Sequence, residues 1–325
     1  MAMDYEFVDV TTPGGLTLRA AVTGQGPLVV LVHGFPESWY SWRHQIGPIA
    51  AAGFRVAALQ VRGYGDSAKP HDVAAYAITE LAGDVAALID ALEPSGKAIL
   101  IGHDWGAVIV QTTALVHPEK VRAIASLSVP AFMHSPRKPS DIWAEIYADR
   151  FYYMRYFQDE GVAEAEFEPD LARFVRVFFL SLSAQGSMTD NGLFRPKGTT
   201  RLLDGLPDPG TNLPAWLSQE DVDYYAAAFR KSGMRGPLNR YRCVDRDWDL
   251  MAPYAGRMID QPSLFIAGLQ EPTRYMVPGV DRFDNPVPRF TDCRGVHLLD
   301  GAGHWVQQEK PQEVTRLLVD FLKGI

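Results

Sequence analysis

Asp104 stands at the centre of the run Gly102-His103-Asp104-Trp105-Gly106, with a small residue two positions away on either side. That spacing describes a tight strand-to-helix turn that exposes its central side chain. A serine there would add to the carbonyl of an ester or amide. A carboxylate is a weaker nucleophile that stays ionised without a base, and it suits displacement at an sp3 carbon bearing an epoxide oxygen or a halide. The flanks supply the elements that must position it: Lys97 to Ile101 reads as a short buried parallel strand, and Ala107 to Val116 as an apolar helix. Gly102 and Gly106 let strand and helix approach closely, while the helix N-terminus directs free N–H groups at the carboxylate and favours its charged form. The competing reading of these five residues is a glycine-bounded turn with Asp104 as an ordinary N-cap.

Further segments add groups able to work with such a nucleophile. Leu28 to Val32 reads as a buried strand ending in His33-Gly34-Phe35-Pro36, where His33 is expected to be structural. His304 lies in the glycine-flexed run Asp300-Gly301-Ala302-Gly303-His304-Trp305, after an apolar stretch at Val296 to Leu299 and before Pro311, which opens an amphipathic helix to about Leu322. Of the eight histidines it has the best context for a base. Between the two, Ser263 to Ala267 reads as a buried strand followed by Gly268-Leu269-Gln270-Glu271. Glu271 is the candidate to orient the imidazole, with Asp281 and Asp284 as alternatives in a Pro-rich stretch further on.

The chain resembles the epoxide hydrolases of the α/β-hydrolase fold, from about Phe7 to the C-terminus. The resemblance rests on His33-Gly34-Phe35-Pro36-Glu37-Ser38-Trp39, Arg62-Gly63-Tyr64-Gly65-Asp66-Ser67, the Asp104 turn and Gly303-His304-Trp305. It implies an α/β fold with an eight-stranded, mostly parallel sheet, helices on both faces and an inserted helical cap. It also implies His304 as base, an acid at Glu271 where aspartate is more usual, and an oxyanion hole made by the backbone N–H groups of Phe35 and Trp105. Phe35, Pro36 and Trp105 are expected to line the substrate pocket. Haloalkane and haloacetate dehalogenases share the aspartate and many of these turns. Two cap segments favour the first group: Phe151-Tyr152-Tyr153-Met154-Arg155-Tyr156-Phe157-Gln158 and Gly236-Pro237-Leu238-Asn239-Arg240-Tyr241-Arg242 resemble the epoxide hydrolase lid. By position, Tyr153 and Tyr241 are then the phenols that donate to the epoxide oxygen, and a register shift would move the first role to Tyr152 or Tyr156. Ring opening produces an alkoxide, a very poor leaving group unless it is hydrogen-bonded or protonated; halide departure needs no proton. Haloalkane dehalogenases often carry asparagine after the His-Gly pair, where this chain has Phe35.

The organisation of the rest follows from alternating apolar and helical patterns. Phe7 to Val10 and Leu16 to Val22 suggest an antiparallel opening pair, followed by strand runs near Leu28, Phe54, Ala98, Ala123, Ser263 and Val296. Residues 1–130 and 250–325 are assigned to the core and 131–249 to the cap, where strand-like runs disappear and helical periods occur at Asp170 to Leu180 and Glu220 to Lys231. Gly186 to Asn212 reads as a long cap loop. The 325 residues, 47% hydrophobic, suffice for a large core plus an inserted cap, and the net charge of −8 argues against nucleic-acid binding. Only Cys243 and Cys293 are present, which implies no disulfide framework and a reducing, cytoplasmic setting. Met1 to Val10 does not read as a signal peptide, and no apolar run has the length of a membrane span. No cofactor or metal is expected. The expected partners are a small apolar epoxide and water, for a monomer or homodimer. A dehalogenase, or a noncatalytic protein that uses the same pocket for binding, are the other readings.

Overall fold

The computed structural model describes residues 5–93, 96–186 and 194–325. The strands are β1 (Glu6–Thr11), β2 (Thr17–Thr23), β3 (Leu28–Val32), β4 (Arg55–Gln60), β5 (Ala98–His103), β6 (Val121–Leu127), β7 (Arg150–Tyr152), β8 (Phe194–Pro196), β9 (Ser263–Gly268) and β10 (Cys293–Leu299). Eight of them form one sheet in the order β1-β2-β4-β3-β5-β6-β9-β10. β1 and β2 pair antiparallel, as do β2 and β4, and the remaining neighbours run parallel. The eight-stranded, mostly parallel sheet expected from the sequence is therefore present.

Its central strands are apolar throughout because both faces are covered. Along β3, Val30 and Val32 point to the cluster holding Leu81, Val85 and Ile109, from the helices Ile78–Leu92 and Trp105–Val116. Val29 and Leu31 point to the opposite cluster with Ile46, Ile49, Leu318 and Phe321, from the helices Ile46–Ala51 and Pro311–Lys323. The two-residue alternation of a strand thus feeds two cores. Among the described residues no helix is long and apolar enough to cross a membrane.

Between β6 and β9 the chain leaves the sheet and builds the cap. The helix Leu171–Leu182 starts where Asp170 accepts from the Arg173 N–H, and the helix Gln219–Ser232 starts at a reciprocal capping box between Ser218 and Asp221. Phe174 and Phe179 of the first helix meet Phe229 and Tyr225 of the second. The cap also contains strands, contrary to the sequence expectation: β7 and β8 pair antiparallel with Tyr152 opposite Phe194. Three-residue strands are too short to show a periodicity. The expected long loop is correspondingly interrupted. Residues 187–193 lie outside the described residues, but beyond β8 the backbone N–H groups of Leu202 and Leu203 donate to the buried Glu166 carboxylate at 3.0 and 2.9 Å.

The crossing of β5 and the helix after it leaves no room for side chains at its glycines. A Cβ on Gly106 would lie 2.0 Å from the Val32 carbonyl oxygen. Gly106→Ala is expected to destabilise the protein by about 3 kcal/mol or more, because backbone rather than a movable side chain must give way. Thermal unfolding followed by circular dichroism checks this against Gly83→Ala, where the added methyl meets open space.

Candidate active site

Asp104 sits between β5 and the helix Trp105–Val116 with φ 53° and ψ −122°. That conformation is strained for a residue with a side chain and is held by the packing around it. The carboxylate makes no capping bond to its own helix. It accepts instead from the Phe35 N–H at 2.8 Å and faces His304 Nε2 at 3.4 Å. The ordinary N-cap reading therefore fails, because the strained turn aims the side chain away from the helix that a cap would serve. Trp105, first in the helix, has no intrahelical acceptor for its N–H.

His304 lies behind this carboxylate and is 2% exposed. Its Nδ1 meets both Glu271 oxygens, at 3.0 and 2.9 Å, and Glu271 also accepts from the Thr273 N–H at 2.9 Å. Asp281 is bound instead by Arg274, at 2.7 and 2.5 Å, and Asp284 is exposed. Asp104, His304 and Glu271 thus form one line, with glutamate in the third position.

From the cap, Tyr153 and Tyr241 come together with ring centroids 5.9 Å apart, both buried. Tyr241 also packs edge-on against Phe35 and Trp105. Burial raises both phenols well above their ordinary pKa and the Asp104 charge adds to this, so both carry their protons at neutral pH. Neither hydroxyl donates to a protein acceptor among the described residues. Their neighbours differ: Tyr156 donates to Glu166 at 2.7 Å and Tyr147 to the Met276 carbonyl. A cavity of about 420 Å³ opens over Asp104, walled by Trp105, Trp143, Ile146, Tyr153 and Met276 among others. Of the three expected pocket residues Trp105 lines it, whereas Phe35 and Pro36 do not. The Phe35 ring is turned into a cluster with Phe157, Phe178 and Tyr241, so that residue meets the site through its backbone.

A model of the α/β hydrolase fold matches residues 27–311. Epoxide hydrolase A of Mycobacterium tuberculosis (strain ATCC 25618 / H37Rv) is 41% identical over 313 residues, which is 96% of this chain and 95% of that protein. The chain belongs to the epoxide hydrolases of the α/β-hydrolase fold. Two solved members superpose with a TM-score of 0.90 at 43% identity: an epoxide hydrolase from an endophytic Streptomyces, covering 98% of this chain and 96% of that one, and epoxide hydrolase A from Mycobacterium thermoresistibile, covering 99% of each.

This epoxide hydrolase also carries supporting residues that sequence reading missed. His103 and Glu37 are fully buried, with Nδ1 and Glu37 Oε2 at 2.7 Å. The other His103 nitrogen lies 2.7 Å from the His304 carbonyl oxygen, which can only accept, so Nε2 carries a proton. Burial would raise Glu37, but the His103 charge and hydrogen bond outweigh it and hold the carboxyl below its ordinary pKa. Ser128 donates to the same His304 carbonyl at 2.7 Å, and the His304 N–H donates to Leu182 of the cap at 2.8 Å. Both Glu37 and His103 occur in quoted motifs, so the signal was their presence in two turns that the sheet brings side by side. His33 is structural: burial lowers it to about 4, and its Nε2 accepts from the Val61 N–H at 3.1 Å.

The His304 imidazole feels opposing effects. Burial pushes its pKa down, but the Glu271 charge and the contacts with Asp104 and Glu271 outweigh this and raise it well above the ordinary value. An imidazolium between two carboxylates is favoured in the resting site. Its contribution to stability is full below the unfolded value near 6.5 and is lost as pH rises through the folded value. Asp104→Asn removes one of the two charges, so the His304 imidazole should titrate at lower pH than in the wild type. Nitrogen-15 NMR of the ring reads this directly, and an unchanged titration would show that Asp104 contributes nothing to it.

Proposed function

We propose that this protein hydrolyses epoxides to vicinal diols through a covalent ester on Asp104. Asp104 attacks an epoxide carbon and the C–O bond breaks. The departing oxygen takes its proton from Tyr153 or Tyr241, while the other phenol supports it by hydrogen bonding. Esterification removes the negative charge of Asp104, so the imidazolium loses one of its two partners and its pKa falls. Its released proton replaces the one given by the phenol. The neutral ring, oriented by Glu271, then takes a proton from water as the water oxygen adds to the ester carbonyl. The Phe35 and Trp105 N–H groups stabilise the resulting oxyanion. On collapse the departing diol oxygen takes a proton from His304, and the carboxylic acid left on Asp104 then gives its proton to the neutral ring, restoring the carboxylate and the imidazolium.

The observation that carries this reading is the pairing of two buried phenols, their protons uncommitted, with a carboxylate that Phe35 N–H and His304 both engage. Halide departure would have no use for those protons. The membership reported above supports the same reading. A small, largely apolar substrate suits the cavity wall.

Purified protein incubated with an aryl epoxide and, separately, a bromoalkane should form diol and release no bromide; bromide without diol would overturn the tyrosine roles. Asp104→Ala is expected to abolish turnover. In His304→Ala the first step survives and the second stalls, so mass spectrometry should find the intact protein heavier by the mass of the epoxide. Replacing either tyrosine by phenylalanine should slow ester formation by about 10- to 100-fold, and replacing both by more than either, since the remaining phenol still donates. Stopped-flow fluorescence during a single turnover resolves that step.

A further inference from the structure

Two charged residues line the cavity among those described, Asp104 and Arg282. The chemistry proposed above uses the first and leaves the second without a task. Arg282 is half-buried and its face lies over the Phe132 ring, 4.3 Å from the centroid. Nη1 donates to the Thr273 carbonyl at 2.9 Å and approaches the Met276 sulfur at 3.2 Å. Nε and Nη2 have no protein acceptor among the described residues.

Among the other shielded arginines, Arg62, Arg242 and Arg43 are matched with Asp84, Glu164 and Asp221, while Arg289, away from Asp104, is bound by the Tyr254 and Ala255 carbonyls. The carboxylates nearest in sequence to Arg282 are spent elsewhere or directed outward. Asp281 belongs to Arg274, and Asp284 is exposed. Glu271, whose charge reaches Arg282, is bound to His304, and the remaining groups facing the guanidinium are the neutral phenols of Tyr147, Tyr152 and Tyr153. Withdrawing a guanidinium from water without a counter-ion is costly, and its retention in an apolar wall calls for an anion that arrives with the ligand. The free Nε and Nη2 edge is a planar two-donor fork that matches the two oxygens of a carboxylate.

We infer that Arg282 is a carboxylate-recognition site and that the preferred substrates are epoxides bearing a carboxylate, the acid held by Arg282 while the epoxide reaches Asp104. This rests on the epoxide hydrolase reading and adds the substrate class to it. A single cation selects a single negative charge, which favours a carboxylate over a phosphate dianion. Repulsion from Asp104 keeps the acid at the Arg282 end, so an optimum spacing between acid and epoxide follows.

The test compares a homologous series of ω-epoxyalkanoates with their methyl esters, alongside a neutral aryl epoxide. Wild-type protein should show a higher kcat/KM for acids than for their esters at one favoured chain length, and plain alkanoates of matching length should compete with the neutral epoxide. In Arg282→Met the acid-to-ester ratio should fall by about 10- to 100-fold, with Arg282→Lys intermediate. The ratio is the readout because a loss shared by acid and ester leaves it unchanged. Turnover of the neutral epoxide with no acid preference in the wild type, or a ratio unaltered in Arg282→Met, would overturn the inference while leaving the activity intact. Absence of turnover on every epoxide would instead overturn the reading on which it rests.

Discussion

One imidazole lies between two carboxylates in this protein, and most of the architecture around it holds that arrangement in place. Separated, Asp104 and Glu271 would each be ordinary acids; with His304 between them at 3.4 and 2.9 Å they form a coupled set that is largely shielded from water. Charge interactions strengthen as the surrounding dielectric falls, so small displacements of the ring carry a large energetic consequence. The His304 backbone is accordingly fixed on both sides, its carbonyl by Ser128 and His103 and its N–H by Leu182. The first two partners belong to the sheet domain and the third to the cap, so the imidazole is placed by both.

The cap and core are continuous around this point. Trp305, next to His304, stacks on Phe179 at 4.3 Å between centroids and donates its indole N–H to the Phe179 carbonyl at 2.7 Å. Phe35 turns its ring into the cap's aromatic cluster while its N–H remains on Asp104. Arg240 lies over the opposite member of the site, Trp105, at 4.7 Å from its ring centroid. Cap packing and the position of the groups around Asp104 are therefore one problem. The phenols are held by aromatic edges, and Tyr241 accepts a hydrogen bond from the Trp105 side chain, an arrangement that leaves both phenol protons available.

Buried polar groups divide into those matched within the protein and those left open. The His103–Glu37 pair is closed: Gly34 N–H, Gln307 and Gln308 supply further donors to Glu37 at 2.9, 2.9 and 3.4 Å. Such a network favours one arrangement of the two turns that it joins. The protons of Tyr153 and Tyr241 and the outer edge of Arg282 are open, and Tyr153 and Arg282 line the cavity over Asp104. The distinction separates groups that hold the site from groups left able to bond to a ligand.

The order of elements and the three residues that the fold brings into one line, Asp104, His304 and Glu271, were legible in the chain because each depends on short-range chemistry. Glycines two residues either side of Asp104, a strand before it and a helix after it specify a turn whatever the remaining chain does, and the same holds for the glycine-rich run before His304. Glu271 follows a strand run in the same way. What tertiary structure alone decided is which groups share a volume. The register of the cap helix turns Tyr153 towards Asp104 and Tyr156 towards Glu166, although both are tyrosines three residues apart. Glu37 and His103 become partners across 66 residues because β3 and β5 are neighbours in the sheet. Arg282, between two acids considered for the triad, faces the cavity while Asp281 pairs outside it with Arg274. Turns are determined by the conformational preferences of a few adjacent residues; encounters between distant side chains depend on how strands and helices pack, and no local pattern encodes them.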